Sequence, residues 1–305
     1  MPSCSSHGLV LLSSMQWLYG PTWAPSLNLC SRAASPSCVG WAEVHARQAE
    51  LAEVLRRNLA HAAVAEVHLL LGEVPPVRKF LHAMPWGRAR CLTLVAIKAR
   101  PRFSHYLSYM STALLGRTVV LTNQDVFLTS GWASLSLPPS SAFLLSRHHS
   151  SISYDPSAAR AYLNATPARA AACDMASRGV WARSLCGPRN FGSYDAYVLR
   201  LEAPLGGSVL SLLDYPQNAW GGENVFQFVL QEAMGLRTSN PCHSLQVMHM
   251  HCELPTTFSA PKVGDRRLGK REVAQAVLRK MRAMGKHVTM DAAAIGSLTL
   301  NSTYA

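Results

Sequence analysis

The chain has 305 residues, enough for one large α/β domain or two smaller ones, so core size is no obstacle. It is 49% hydrophobic and 15% charged, and 29 Lys and Arg against 17 Asp and Glu leave a formal charge of +12. That surplus suits polyanionic partners such as nucleic acid, anionic membrane surfaces or phosphorylated small molecules, but much of it lies after Lys262 and need not describe an active face. The eight cysteines (4, 30, 38, 91, 173, 186, 242 and 252) form no CxxC pair, which argues against a zinc ribbon or a thioredoxin-type motif. Their spacing is too irregular, and the chain too long, for a disulfide scaffold, leaving room for one or two bridges. No stretch approaches the roughly 18 to 20 apolar residues of a membrane span.

In chain order, residues 1 to 42 read as an irregular segment rich in Ser, Pro, Cys and Trp. Leu9 to Leu12 within it reads as an edge or first strand, and Gly8 to Met15 makes a poor signal peptide. From Glu43 the pattern becomes helical: Val44, Leu51, Val54, Leu55 and Leu59 recur at helix spacing, with Arg47, Glu50, Glu53, Arg56 and Arg57 on the other faces. Val64 to Leu71 is a strand bounded by Gly72 and Pro75-Pro76, and Cys91 to Ile97 is another. Phe103 to Leu115 fits an amphipathic helix ended by Gly116. A buried strand from Arg117 to Thr122 follows, ending in the polar run Asn123-Gln-Asp125.

Further on, Ala142 to Ser146 and Tyr194 to Leu201 read as strands, with an irregular insertion across 150–190 between them. Gly222 to Met234 reads as a helix ended by Gly235, and Leu245 to Met250 as a last strand. A basic amphipathic helix from Gly269 to Gly285 and a loose tail close the chain. Strand–helix–strand alternation predicts right-handed crossovers and a mostly parallel sheet. The expected fold is a single three-layer α/β/α domain over residues 43–255, followed by a basic helix and tail over 256–305.

Four polar constellations fall at strand tips or helix starts, where open α/β sheets place ligands. Asn123, Gln124 and Asp125 offer a carboxylate for a divalent metal or a ribose hydroxyl, or an Asx turn. Asp195, in Gly192-Ser-Tyr-Asp195, is placed to orient a sugar hydroxyl, to act as a general base, or simply to turn the chain. Gly221-Gly-Glu-Asn224 opens a helix with amide donors for an anion, while Glu223 and Asn224 can read hydroxyls; the alternative is an ordinary cap. His249 and His251 alternate onto one strand face, as metal ligation requires, though half-buried histidines also occur in this pattern. Cys242, His243 and Cys252 lie close enough in sequence to bring a zinc site into consideration. No Walker loop, GxGxxG, HExxH, GxSxG or RNP pattern occurs, which removes several enzyme classes and an RNA-binding sheet.

The ordered set Arg47…Glu50…Leu55-Arg-Arg-Asn-Leu59, Val67-His-Leu-Leu-Leu71, Arg102-Phe…Tyr106 and Val119-Val-Leu-Thr-Asn-Gln-Asp-Val-Phe127 resembles a glycosyltransferase-like family of bacteria, algae and plants with a nucleotide-diphospho-sugar transferase (GT-A type) fold. The likeness continues through Leu144-Leu-Ser-Arg147, Gly192-Ser-Tyr-Asp-Ala-Tyr197, Gly221-Gly-Glu-Asn224 and Ser239-Asn-Pro241…His249-Met-His251, covering roughly 43 to 252. The resemblance implies that Asp125 stands at the acidic end of an Asp-any-Asp motif, where such enzymes meet a divalent metal and the donor diphosphate. Asn123 stands at the first acidic position, one negative charge fewer. By the same analogy of position, Asp195 and Glu223 would serve the acceptor or the donor sugar, and His249 or His251 would complete a metal shell.

The expectation is therefore a glycosyltransferase moving a hexose from a nucleotide-sugar donor to a saccharide or protein-linked acceptor, with Mn or Mg as the candidate cofactor. Asn123, Asp125 and Arg147 would bind the donor, Arg147 pairing with phosphate. Asp195 and Glu223 would be catalytic, Asp195 as the base. The alternatives are a non-catalytic sugar- or nucleotide-binding relative and a zinc hydrolase-like domain. Neither a specific nucleic-acid partner nor a transmembrane span is expected. Two sequons, Asn164-Ala-Thr and Asn301-Ser-Thr, leave both the cytoplasm and a secretory lumen open.

Overall fold

The computed structural model describes residues 8–15, 41–84, 87, 91–98, 100–148, 186, 194–217, 222–250, 270–286 and 288. The expected insertion at 150–190 (apart from Cys186), the closing tail, Gly192, Gly221, His251 and Cys252 lie outside the described residues.

The sheet grows outward from β1 (Leu9–Ser14), whose six residues are all buried. β1 pairs in parallel with β2 (Val64–Leu71) on one side and with β4 (Thr118–Thr122) on the other. A strand covered on both faces is a continuous apolar run, and Leu-Val-Leu-Leu is one. The first strand expected at Leu9 to Leu12 is present, within a segment otherwise read as irregular, and it lies inside the sheet rather than at its edge. Six residues are too few to show periodicity, and only their neighbours on both sides define them.

β3 (Leu92–Ala96) continues the sheet beyond β2. On the other side β4 is followed by β7 (Ala196–Arg200), β6 (Ser141–Leu145) and β8 (Arg237–Ser239). Among the described residues the order is β3-β2-β1-β4-β7-β6-β8. β7 alone runs against the others. This is the mostly parallel α/β sheet expected from the sequence.

Two helices cover one face: α1 (Trp41–Ala60), through Leu51, Ala52, Leu55 and Leu59, and α2 (Val74–His82), through Val77 and Leu81. Pro75 and Pro76 start α2 rather than break the chain, since the first turn needs no intrahelical donor there. The other face packs against α3 (Phe103–Ala113), α4 (Gly207–Leu212), α5 (Gly222–Glu232) and α6 (Lys270–Ala283). Phe103 stacks on Phe226 at 4.5 Å between ring centroids, and Tyr197 meets Phe226 edge-on at 4.8 Å. The basic helix set apart at 256–305 is part of this core: Val273, Ala274, Val277, Leu278 and Met281 are buried in it.

β5 (Val126–Leu128) leaves the main sheet and pairs antiparallel with β9 (Val247–His249). The expected last strand therefore belongs to this two-stranded flap rather than to the central sheet. Two side-chain bonds of Asn58 hold β5 to α1: Nδ2 donates to the Val126 carbonyl at 3.0 Å, and the Leu128 amide donates to Oδ1 at 3.0 Å.

Candidate functional site

The chain builds from β1 out to β3, then returns across β1 to β4. The order reverses between β1 and β4, and such a switch point opens a crevice at the carboxyl ends of the strands, where ligands of open α/β sheets bind. Because β7 is antiparallel, its amino end lies at this same edge: Thr122 of β4 and Leu145 of β6 both pair with Ala196. The residues at or just past these ends, Ser13, Ser14, Asn123, Arg147 and Asp195, are thereby brought to one edge from stretches far apart in sequence.

Asp195 is 2% exposed. Its Oδ1 accepts from Asn123 Nδ2 at 3.1 Å and from Arg147 Nη1 at 3.0 Å. Backbone bonds fix it on both sides: its amide donates to Leu145 O at 3.0 Å, and its carbonyl accepts from Asn123 N at 3.1 Å. The amide of Asn123 is in turn occupied, since Gln217 Nε2 donates to its Oδ1 at 2.8 Å and Tyr106 Oη donates to Gln217 Oε1 at 3.0 Å. Burial pushes the Tyr106 phenol well above its ordinary range, so it remains a donor. Asp195 Oδ2 is buried with no hydrogen-bond partner. A buried acceptor left unsatisfied costs about 1–3 kcal/mol, so Oδ2 favours any hydroxyl or amine that can reach it.

Glu223 stands in the first turn of α5, and its Oε2 accepts from the Tyr194 amide at 3.1 Å. It thus fastens the helix to the residue preceding Asp195. The Tyr215 hydroxyl donates to Gly222 O at 3.0 Å beside it. Burial first, and then the nearby Glu223 carboxylate, raise the phenols of Tyr197 and Tyr215.

Asp125 lies two residues beyond Asn123, after a turn closed by the Val126 amide on Asn123 O at 3.2 Å. Its Oδ2 is 2.6 Å from Arg47 Nη2 and 3.1 Å from His249 Nε2. Arg47 Nη1 also donates to Glu50 Oε2 at 2.7 Å and to the Met250 carbonyl at 3.1 Å, and the Met250 amide donates to Asp125 O at 2.8 Å. Arg47, Glu50 and Asp125 have side-chain exposures of 9%, 1% and 15%, so this is a largely buried charge cluster joining α1 to the flap.

The expected residues therefore fall into two groups. Asn123, Arg147 and Asp195 meet directly, with Glu223 one residue away through Tyr194. Asp125 and His249 meet each other beside Arg47. Arg147, expected to face phosphate, has its Nη1 on Asp195. Cys242 forms a disulfide with Cys186, so its sulfur is unavailable to zinc, and its carbonyl accepts from His148 Nε2 at 2.6 Å. Sequence reasoning placed Arg47 and Glu50 on the polar faces of a helix and counted them, with Tyr106, among the residues that carry the resemblance, but gave none of them a role at the site and did not single out Gln217. Nothing local marks Arg47, whose partner Met250 is 203 residues distant.

One of the two oxygens that Asp125 could offer a divalent ion, Oδ2, is shared by the guanidinium and the imidazole, and Asn123 has both ends of its amide engaged. The residues as arranged do not fit such an ion. No protein-family model matches the chain, and no curated protein matches it.

Proposed function

We propose that the carboxyl edge of this sheet binds a nucleotide-activated hexose and transfers the sugar to a hydroxyl of a saccharide or protein-linked acceptor. The observation that carries the reading is Asp195: a buried carboxylate at the carboxyl edge of the sheet beside the β1/β4 switch point, anchored through one oxygen and unsatisfied at the other. Transfer forms a bond from the acceptor oxygen to the anomeric carbon and breaks the bond from that carbon to the diphosphate oxygen. The acceptor proton passes to a base, a role this reading gives to Asp195 through its unsatisfied Oδ2. Arg147, 3.0 Å from Asp195, adds positive charge toward the leaving diphosphate. Asn123 and Gln217 hold the carboxylate in one rotamer, and Glu223 positions the strand that carries it.

The test is a thermal-shift screen of nucleoside-diphosphate sugars. A donor at a hundred times its dissociation constant stabilises the folded state by about 2.7 kcal/mol. The reading expects stabilisation by at least one donor that is reduced in Arg147→Ala. No stabilisation by any donor, or stabilisation unchanged in that variant, contradicts it. A sugar-nucleotide-binding protein without transfer is the second reading. It is favoured by Asn123, whose amide replaces the first acid and is fully engaged, and it expects donor binding without turnover.

A further inference from the structure

We infer that Arg47 is a resident cation at Asp125, filling the position a divalent metal would take, so that this site operates without metal. The inference rests on the sugar-nucleotide reading only for what the site is used for, not for the cluster itself. The guanidinium is held by Asp125 Oδ2 at 2.6 Å, Glu50 Oε2 at 2.7 Å and the Met250 carbonyl at 3.1 Å. Two carboxylates and a backbone carbonyl are the hard oxygen set that magnesium, manganese or calcium would choose, and His249 Nε2 stands 3.1 Å from the Asp125 oxygen. A positive charge from within the chain already stands between the two carboxylates. A metal entering here would have to displace a cation that is covalently tethered and almost fully buried. Arginine suits the role better than lysine because its planar fork meets two carboxylates at once and never loses its proton.

The inference predicts that removing the guanidinium opens a metal site. Manganese paramagnetic resonance on the full chain reads this without any sugar nucleotide, so a failed donor screen leaves the result standing and a failed metal result leaves the transferase reading standing. Wild-type protein in manganese chloride should give only the free-ion spectrum. Arg47→Gln should bind manganese at least tenfold more tightly than wild type, and the further change Glu50→Gln should remove that gain. If Arg47→Gln does not fold in chelator, its recovery of a cooperative melt in manganese is the equivalent readout. Bound manganese in wild type that disappears in Asp125→Asn overturns the inference. So does an Arg47→Gln protein that remains indifferent to manganese.

Discussion

The two oxygens of Asp195 differ in their surroundings, and that difference makes the residue testable. Oδ1 takes two donors from Asn123 and Arg147, whereas Oδ2 takes none. Asp195→Asn preserves shape but places an amide where the open acceptor was, so it should retain the fold and lose transfer by about two to four orders of magnitude, as removal of a general base does. Steady-state turnover beside a thermal melt separates the two effects. At the second cluster the balance is structural. Asp125→Ala removes one of the two carboxylates that hold the buried Arg47 guanidinium, and losing one partner of a buried pair costs about 3–5 kcal/mol; urea unfolding measures it. Gly131 has φ +91°, and a Cβ there would lie 1.7 Å from the Ser244 carbonyl oxygen. Gly131→Ala should therefore destabilise by at least about 1–3 kcal/mol, again read from urea unfolding.

Among the elements, α1 carries the most weight for the site, since it brings both Arg47 and Asn58 to the flap. It also carries the buried Glu53, paired with Arg56 Nε at 2.6 Å and Arg57 Nε at 2.9 Å. Burial pushes the Glu53 carboxyl up, but the two guanidinia outweigh it and hold it below its ordinary 4.5. A folded value below the unfolded one gives stability that is present above about pH 4.5 and is lost as pH falls through the folded value. Melts taken down through that window should show a steeper loss for wild type than for Glu53→Gln. The helix itself was legible from its 3.6-residue period, as were β2, α3, β4 and α5. The unread elements were short or lacked period: β8 has three residues, and α2 begins with the prolines that suggested a boundary; β1 was read as a strand, but its six residues did not show that it lies inside the sheet. The same limit hid Arg47, because helix spacing shows that a residue faces outward from a core stripe but not what tertiary neighbour covers it.

For the molecule as a whole, mostly parallel strands flanked by helices followed from the alternation of patterns, and so did the placing of Asn123, Asp125 and Asp195 at strand tips. The reversed direction of β7 did not, since an apolar strand reads the same either way; yet that reversal is what brings Asp195 to the edge shared with Asn123. The core packed against α3 to α6 buries Tyr106, Tyr197 and Tyr215, with phenols pushed up chiefly by desolvation. Raised folded values give stability that is complete below about pH 10 and is lost as pH rises toward them. Phenolate absorbance should therefore rise in two stages, the second coinciding with unfolding.

The central claim is that Asp195 at the β1/β4 switch point serves sugar transfer. Release of nucleoside diphosphate from whichever donor stabilises the chain, measured in chelator with a saccharide acceptor present, addresses it most directly. The account predicts turnover in wild type that falls by about two to four orders of magnitude in Asp195→Asn while donor binding persists. Equal turnover in Asp195→Asn would contradict it.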